Sequence, residues 1–177
     1  LYLLLSFLYI YFDFSGYTDI AIGGARLLGQ GIQENFDRPL LAGDISTFWK
    51  RWHISLTNFF RDYLYIPLGG NRKGPARTYV NLLLVFFLTG LWHGASWPFV
   101  LWGVWHGLFL VVERAGLDSW LRRLGPVSHV YAMLAVMGGW VLFRCDTLAQ
   151  AGHYYAALLG HAQGDPARNM VAEYLDP

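Results

Sequence analysis

The sequence predicts an all-α fold, a polytopic integral membrane helical bundle that contains amphipathic or re-entrant helices. Of the 177 residues, 55% are hydrophobic, 18% are aromatic and 14% are charged. Soluble domains carry about 25% charged residues, so this chain has too few charges to cover its apolar surface in water. Its apolar runs alternate with short polar or basic segments and show no repeat. A lipid bilayer is therefore the expected solvent of the fold.

Four apolar segments are candidates for membrane helices. They are residues 1–12, 79–92, 97–112 and 127–143. A crossing helix needs about 20 residues, and the two middle segments reach that length only with their flanks. Because the chain begins without methionine inside an apolar segment, we expect a fragment of a longer protein. We expect one partial membrane domain over residues 1–177, with a motif-bearing core at 1–144 and a connecting or partial helical segment at 145–177.

Basic residues concentrate in two short loops, 68–78 and 113–126. The first loop carries Arg72, Lys73 and Arg77, and the second carries Arg114, Arg122 and Arg123. If both intervening segments cross the bilayer, the loops share one side, which the positive-inside rule makes cytoplasmic. The break at residues 92–98 is either an outer turn or a re-entrant loop. The basic side chains of the first loop either bind donor phosphates or anchor at lipid headgroups.

Residues 48–64 carry apolar side chains at helical spacing, interleaved with charged ones, which predicts an amphipathic helix. Asp44 or Ser46 is expected to cap its start, and Pro67 with the glycine pair that follows it is expected to end it. His53, within this segment, faces either the core or a polar passage. The pattern alone does not distinguish an interfacial packing helix from one that also carries a functional histidine.

A polar motif, residues 12–19, follows the first apolar segment and contains two carboxylates, a serine, a threonine and a tyrosine. Such groups at a membrane boundary are able to hold a substrate or to orient a histidine by hydrogen bonding. The alternative is helix capping by Asp13 or Ser15. Capping explains Asp19 less well, because Asp19 is followed by apolar residues. We therefore take Asp13 and Asp19 as candidate supporting polar residues of a site.

His93 lies where an apolar run breaks at glycine, within residues 90–96. An ionisable side chain at membrane depth is costly and usually serves chemistry or transport, so His93 is the first candidate for a catalytic residue. His106 lies on a predicted membrane helix, either as a second polar residue of a passage or hydrogen-bonded to a neighbouring helix. The histidines at 53, 93 and 106 lack the close spacing of metal ligands, and we expect no metal site.

Six segments carry motifs in a fixed order. They are residues 11–23 (YFDFSGYTDIAIG), 35–39 (NFDRP), 48–56 (FWKRWHISL), 65–72 (YIPLGGNR), 91–96 (LWHGAS) and 139–144 (GWVLFR). The series resembles the membrane-bound O-acyltransferase family, in its bacterial branch of alginate-type O-acetylation proteins. It covers about the first four-fifths of the chain, and such an ordered series is far more specific than any one segment. Family members are longer, so the resemblance implies a fragment of a larger fold.

The resemblance implies acyl transfer at a histidine inside a membrane tunnel, with the acyl donor arriving from the cytoplasm. His93 matches the family's active-site histidine, and His53 matches its second characteristic polar residue. Burial disfavours the imidazolium form, so a histidine there should stay neutral. It would then take a proton from a hydroxyl as a general base, or carry the acyl group itself. We expect no tightly bound cofactor, and the implied donor is acetyl-coenzyme A or another acyl thioester.

The implied acceptor is a hydroxyl of an exported polysaccharide, reached directly or through an extracytoplasmic partner protein that completes the transfer. The implied location is the bacterial cytoplasmic (inner) membrane, with several passes and lipid contacts. The turn at residues 69–73 resembles the polysaccharide-acetylating branch more than the branch that transfers D-alanine, and D-alanyl transfer is the alternative within the family. A net charge of +1 gives no reason to expect nucleic-acid binding.

A different class of function also fits the polar residues. In a transporter or channel, His93, Asp13 and Asp19 would line a proton or solute path. That function predicts an inverted repeat in the complete sequence and no acyl transfer. A fragment with too few helices to enclose a tunnel would in turn be inactive on its own.

Overall fold

The computed structural model describes residues 2–161, and every regular element within them is helical. Those residues form the α-helices α1 Tyr2–Leu27, α2 Ile45–Arg51, α3 Ile54–Phe60, α4 Pro75–His93, α5 Trp97–Val112, α6 Asp118–Leu124, α7 Ser128–Arg144 and α8 Leu148–Leu158. Two 3₁₀ turns, Pro39–Leu41 and Gly125–Val127, and two π-helical segments, Arg61–Tyr65 and Glu113–Leu117, lie between some of them. The predicted all-α class is confirmed.

One continuous helical stretch in the described part of the chain, Trp97–Arg144, is long and apolar enough to cross a membrane by length and composition. It contains the predicted segments 97–112 and 127–143. The other two predicted segments belong to α1 and α4, which do not meet the same combination of length and apolarity. The number of membrane crossings therefore stays a prediction.

Helix α1 is longer than the sequence pattern indicated, because it continues through the polar motif to Leu27. The hydroxyl of Ser15 donates to the carbonyl of Phe12 at 3.4 Å, and the hydroxyl of Thr18 donates to the carbonyl of Ser15 at 2.8 Å. Bonds of this kind let hydroxyl side chains sit within a helix. The alternative of capping by Asp13 or Ser15 is wrong, since neither residue lies at a helix end.

The single amphipathic helix predicted over residues 48–64 is wrong, because the chain forms two short helices there. Asp44, and not Ser46, caps α2: its carboxylate accepts the backbone N–H of Thr47 at 2.6 Å. Between α2 and α3, His53 adopts a left-handed backbone conformation with φ 46° and ψ 54°. That conformation interrupts the helix. The apolar spacing continues across the break, so the pattern did not reveal it.

Helices α4 and α5 form an antiparallel pair whose backbones touch through glycine. A Cβ on Gly103 would stand 2.1 Å from the carbonyl oxygen of Phe86, and a Cβ on Gly90 would stand 2.4 Å from that of Phe99. Gly107, one turn after Gly103, also faces α4. Small residues spaced four apart are typical of close helix packing in membranes. The close approach therefore depends on the absence of side chains at these positions.

The antiparallel pair places the basic loops 68–78 and 113–126 at the same end of the two helices, and their location on one side of a membrane stays a prediction. The first loop leads into α4 and the second follows α5. Tyr65 and Arg114 are close enough to interact electrostatically, which brings the two regions together. The break at residues 92–98 is a short turn between the two helices at the opposite end.

The core is built mainly from aromatic rings of α1, α2, α5 and α7. Phe48 of α2 stacks on Trp52, the residue directly after that helix, with ring centroids 5.5 Å apart, and Trp52 meets Trp140 of α7 edge to face at 5.2 Å. Phe7 of α1 packs on both tryptophans. Such ring pairs contribute about 0.5–1.5 kcal/mol each beyond the burial of their area. They attach α2 to the longer helices.

The segment expected to be connecting or partly helical, residues 145–177, contains α8. Thr147 caps its start, since its hydroxyl oxygen accepts the backbone N–H of Gln150 at 3.2 Å. The hydroxyl of Tyr155 donates to the carbonyl of Gly138 at 2.7 Å and so ties α8 to α7. The remainder of that segment, residues 162–177, lies outside the described residues.

The glycine contact between α4 and α5 predicts that alanine destabilises the protein at Gly103 but not at Gly152, which lies outside the contact. Gly103→Ala should lower the free energy of unfolding by about 1–3 kcal/mol, because its methyl group would overlap the backbone of α4. Gly152→Ala, on α8 where nothing lies within 4 Å, should be neutral or stabilise by up to about 1 kcal/mol. Thermal unfolding of the detergent-purified variants measures both. Equal midpoints would contradict the close backbone contact.

Candidate functional site

The segment that contains Asn35 runs antiparallel to the end of α2 and joins two motifs that lie apart in the sequence. Two backbone hydrogen bonds of 3.0 Å connect them, from the N–H of Asp37 to the carbonyl of Arg51 and from the N–H of Ile54 to the carbonyl of Asn35. The residues between these bonds form an isolated antiparallel bridge. The pairing thus holds the backbone on both sides of His53.

The side chain of Asn35 completes the turn at His53. Its Oδ1 accepts the backbone N–H of Ser55 at 3.0 Å and the Ser55 hydroxyl at 2.7 Å. The same oxygen lies 3.4 Å from Nδ1 of His53. A left-handed backbone at a residue other than glycine costs about 1–3 kcal/mol, and such conformations cluster at functional sites. Hydrogen bonds to one asparagine offset that cost here.

The imidazole of His53 lies between α1 and α4. Its ring centroid is 4.8 Å from that of Phe14, in an edge-to-face arrangement, and 6.4 Å from that of Trp92. Burial lowers the pKa of His53 to about 4, so the ring is neutral at pH 7. A neutral imidazole carries one N–H and one lone pair, and is therefore able to accept a proton.

His93 is the last residue of α4 and lies half-buried among aromatic rings. Its ring centroid is 4.8 Å from Trp92, 5.0 Å from Trp102 and 5.2 Å from Phe143. No group among the described residues hydrogen-bonds the imidazole, and its nitrogens are not enclosed in the core. Packing against these rings therefore fixes the position of the imidazole.

Trp92 connects the two histidines, because its ring contacts both His53 and His93. The two imidazoles are also close enough to interact electrostatically. The structure thus brings both histidines predicted from the sequence into one site with aromatic walls. The catalytic roles of the two residues stay predictions.

The carboxylates of the first motif lie elsewhere on α1. The side chains of Asp13 and Asp19 are exposed, and neither forms a hydrogen bond or ion pair within residues 2–161. From this motif it is Phe14 that reaches the site, by its contact with His53. The supporting polar role of Asp13 and Asp19 therefore remains a prediction that no contact in the described residues supports.

His106 is fully buried beside the site. Its ring centroid lies 5.0 Å from that of Trp49 and 5.4 Å from that of Trp102, which in turn contacts His93. Neither ring nitrogen of His106 has a hydrogen-bond partner among the described residues. The hydrogen bond to a neighbouring helix that the sequence left open is not found there. His106 packs instead as part of the aromatic core.

The sequence analysis missed Glu113, which attaches α2 to the end of α5. Its carboxylate accepts the backbone N–H of Ile45 at 2.7 Å, the backbone N–H of Ser46 at 3.0 Å and the hydroxyl of Tyr131 at 3.1 Å. Only 2% of the residue is exposed. A buried carboxylate is costly unless donors surround it, and these three supply the bonds. The signal in the sequence was a lone acidic residue directly after an apolar helix.

The family comparison matches most of the chain. A family model described as MBOAT, membrane-bound O-acyltransferase family, covers residues 1–144. That range contains α1 to α7, the Asn35 turn and both histidines of the site.

Three bacterial proteins are among those similar to the chain. The probable alginate O-acetylase AlgI of Pseudomonas putida is 51% identical over 150 residues, or 84% of this chain and 31% of that protein. The peptidoglycan O-acetyltransferase of Helicobacter pylori is 41% identical over 155 residues, which are 85% of this chain and 29% of that protein. The teichoic acid D-alanyltransferase of Streptococcus thermophilus is 34% identical over 126 residues, which are 67% of this chain and 29% of that protein. The chain thus spans less than a third of the length of these relatives.

The buried carboxylate of Glu113 predicts a loss of stability when its charge is removed. Glu113→Gln should lower the free energy of unfolding by about 1–3 kcal/mol, because an amide offers one acceptor oxygen to donors that bind two. Glu34→Gln is the matched control at an exposed ion pair with Arg26, where about 0–1 kcal/mol is expected. Thermal unfolding in detergent compares them, and equal losses would show that the Glu113 bonds contribute little.

Proposed function

Because this chain belongs to the membrane-bound O-acyltransferase family, we propose that it works as a membrane O-acyltransferase with His93 as its active-site histidine. The family match confirms the resemblance that the ordered motifs indicated. In the proposed reaction an acetyl group moves from a cytoplasmic thioester, such as acetyl-coenzyme A, towards a hydroxyl of an exported polysaccharide. The observation that carries the proposal is the convergence of His53 and His93 on Trp92 inside the matched range.

The transfer needs a base at the acceptor hydroxyl, and His93 suits that role. As the hydroxyl oxygen attacks the thioester carbonyl, its proton passes to an imidazole nitrogen. The new C–O bond forms, the C–S bond breaks, and the proton passes on to the departing thiolate. Proton removal by a positioned base contributes about 10²–10⁴-fold in rate. Alternatively, an imidazole nitrogen of His93 takes the acyl group first and passes it to the hydroxyl in a second step.

Acetyl transfer is favoured over D-alanyl transfer. The two relatives named for O-acetylation share 51% and 41% identity with the chain, compared with 34% for the D-alanyltransferase. Their names also support a polysaccharide acceptor. We propose that an extracytoplasmic partner protein completes the modification, because the acceptor is exported while the donor arrives from the cytoplasm.

We place the protein in the bacterial cytoplasmic membrane with several passes. The family name itself describes membrane-bound enzymes. The proposal puts the loops 68–78 and 113–126 on the cytoplasmic side, because they share one end of the α4–α5 pair and carry the clustered basic residues. The turn at residues 92–98 then lies towards the other side, next to His93.

The proposed role of His93 predicts loss of acetylation. In cells that carry the gene encoding this chain, His93→Ala should reduce acetyl groups on exported polysaccharide by about 10²-fold or more, at unchanged membrane abundance. His153→Ala, at an exposed histidine of α8, should leave acetylation unchanged.

Chemical release and quantification of acetate from purified polysaccharide measures the effect. Full acetylation in the His93 variant would exclude this catalytic assignment. It would favour either another catalytic residue or the transporter alternative built on His93, Asp13 and Asp19.

A further inference from the structure

We infer that Asn35 is a positioning residue that sets the tautomer of His53, so that Nδ1 carries the proton and Nε2 keeps the lone pair. The inference deepens the proposed function and rests on it, because the tautomer affects transfer only if His53 takes part. The residue itself lies on the segment that pairs with the end of α2. Its side chain reaches the turn that contains His53.

The orientation of the Asn35 amide follows from its partner at Ser55. A backbone N–H only donates, so the amide atom that lies 3.0 Å from the N–H of Ser55 must be the oxygen. This removes the usual ambiguity between the two ends of an asparagine side chain. Oδ1, an acceptor without a proton, therefore faces Nδ1 of His53 at 3.4 Å.

The Ser55 hydroxyl offers the only competing contact to Nδ1 among the described residues, at 3.5 Å. If its proton pointed to Nδ1, the opposite tautomer would form. That proton is already directed to Oδ1 of Asn35, because the two oxygens lie 2.7 Å apart and Oδ1 cannot donate. Nδ1 is thus left facing an acceptor, which requires the N–H on Nδ1.

With the proton on Nδ1, Nε2 presents a lone pair to donor groups of a bound substrate, such as a sugar hydroxyl. Packing against Phe14 of α1 and Trp92 of α4 holds the ring in this orientation. His93, from α4, is the titratable group found to interact with His53 in the described part of the chain. Burial keeps the pKa of His53 at about 4, so the lone pair is present at neutral pH.

Asn35→Asp tests the contact through charge. The aspartate keeps an oxygen for both Ser55 donors but adds a negative charge beside Nδ1. An opposite charge at this range favours imidazolium and moves a pKa by about 1–3 units. If transfer needs neutral His53, activity is present at pH values above the pKa of His53 and is lost as the pH falls below that pKa. The acid limit of activity should therefore rise from about pH 4 by about 1–3 units in this variant.

The matched control is Asn58→Asp. Asn58 lies on α3, and its amide donates to Gln33 at 3.3 Å without contacting His53. The substitution adds the same charge at a solvent-exposed hydrogen bond, where water and salt screen it, so its acid limit should stay at the wild-type value. The assay follows acetyl transfer from acetyl-coenzyme A to exported polysaccharide across the acid range, in membranes that contain equal amounts of each variant.

A second measurement does not depend on transfer. Diethyl pyrocarbonate modifies neutral imidazole, and peptide mass spectrometry resolves the modification of His53 from that of other histidines. The pH at which half of His53 is modified, its modification midpoint, should rise by about 1–3 units in Asn35→Asp, as the acid limit does, and should not change in Asn58→Asp. Asn35→Ala, which lacks the acceptor oxygen, should leave the midpoint without that rise.

The outcomes separate this inference from the proposed function. If wild-type membranes transfer no acetyl group, the proposed function fails, while the modification midpoints still decide whether Asn35 faces Nδ1. Identical modification midpoints in wild type and Asn35→Asp would overturn the Asn35 contact. A shifted midpoint with an unshifted acid limit of activity would overturn the role of that contact in transfer.

Discussion

Helices α4 and α5 pack with backbone against backbone, and the glycines at their contact are the constraint on which the site depends. A Cβ at Gly90 or Gly103 would overlap a carbonyl of the opposite helix, so any larger residue would force the pair apart. His93 ends α4 and lies 5.0 Å from Trp102 of α5, measured between ring centroids. Wider separation of the helices would remove the ring that supports this histidine.

The second half of the site depends on the attachment of α2 to the same helices. Trp49 of α2 packs edge to face on His106 of α5, and Glu113 accepts two N–H groups from the first turn of α2. The contact between Trp49 and His106 is made by packed rings, and the Glu113 carboxylate is surrounded by hydrogen-bond donors. Together they set the end of α2, and with it His53, relative to His93.

Local patterns predicted the elements better than their ends. Three of the apolar segments became α4, α5 and α7, and Asp44, one of the two predicted caps, begins α2. The pattern did not predict the break at His53, because the left-handed conformation there is maintained by hydrogen bonds to Asn35, 18 positions earlier. It also placed the end of the first helix too early, because a polar motif within a helix resembles a helix boundary.

By itself, the sequence determined the helical class and the family, and it predicted the two histidines of the site, because composition, spacing and ordered motifs can be read along the chain without its fold. Only the tertiary structure decided what surrounds those histidines. It placed Phe14 rather than Asp13 against His53, and it assigned Asn35 and Glu113 their partners. These contacts join segments that are far apart in the chain, so no local pattern of residues indicates them.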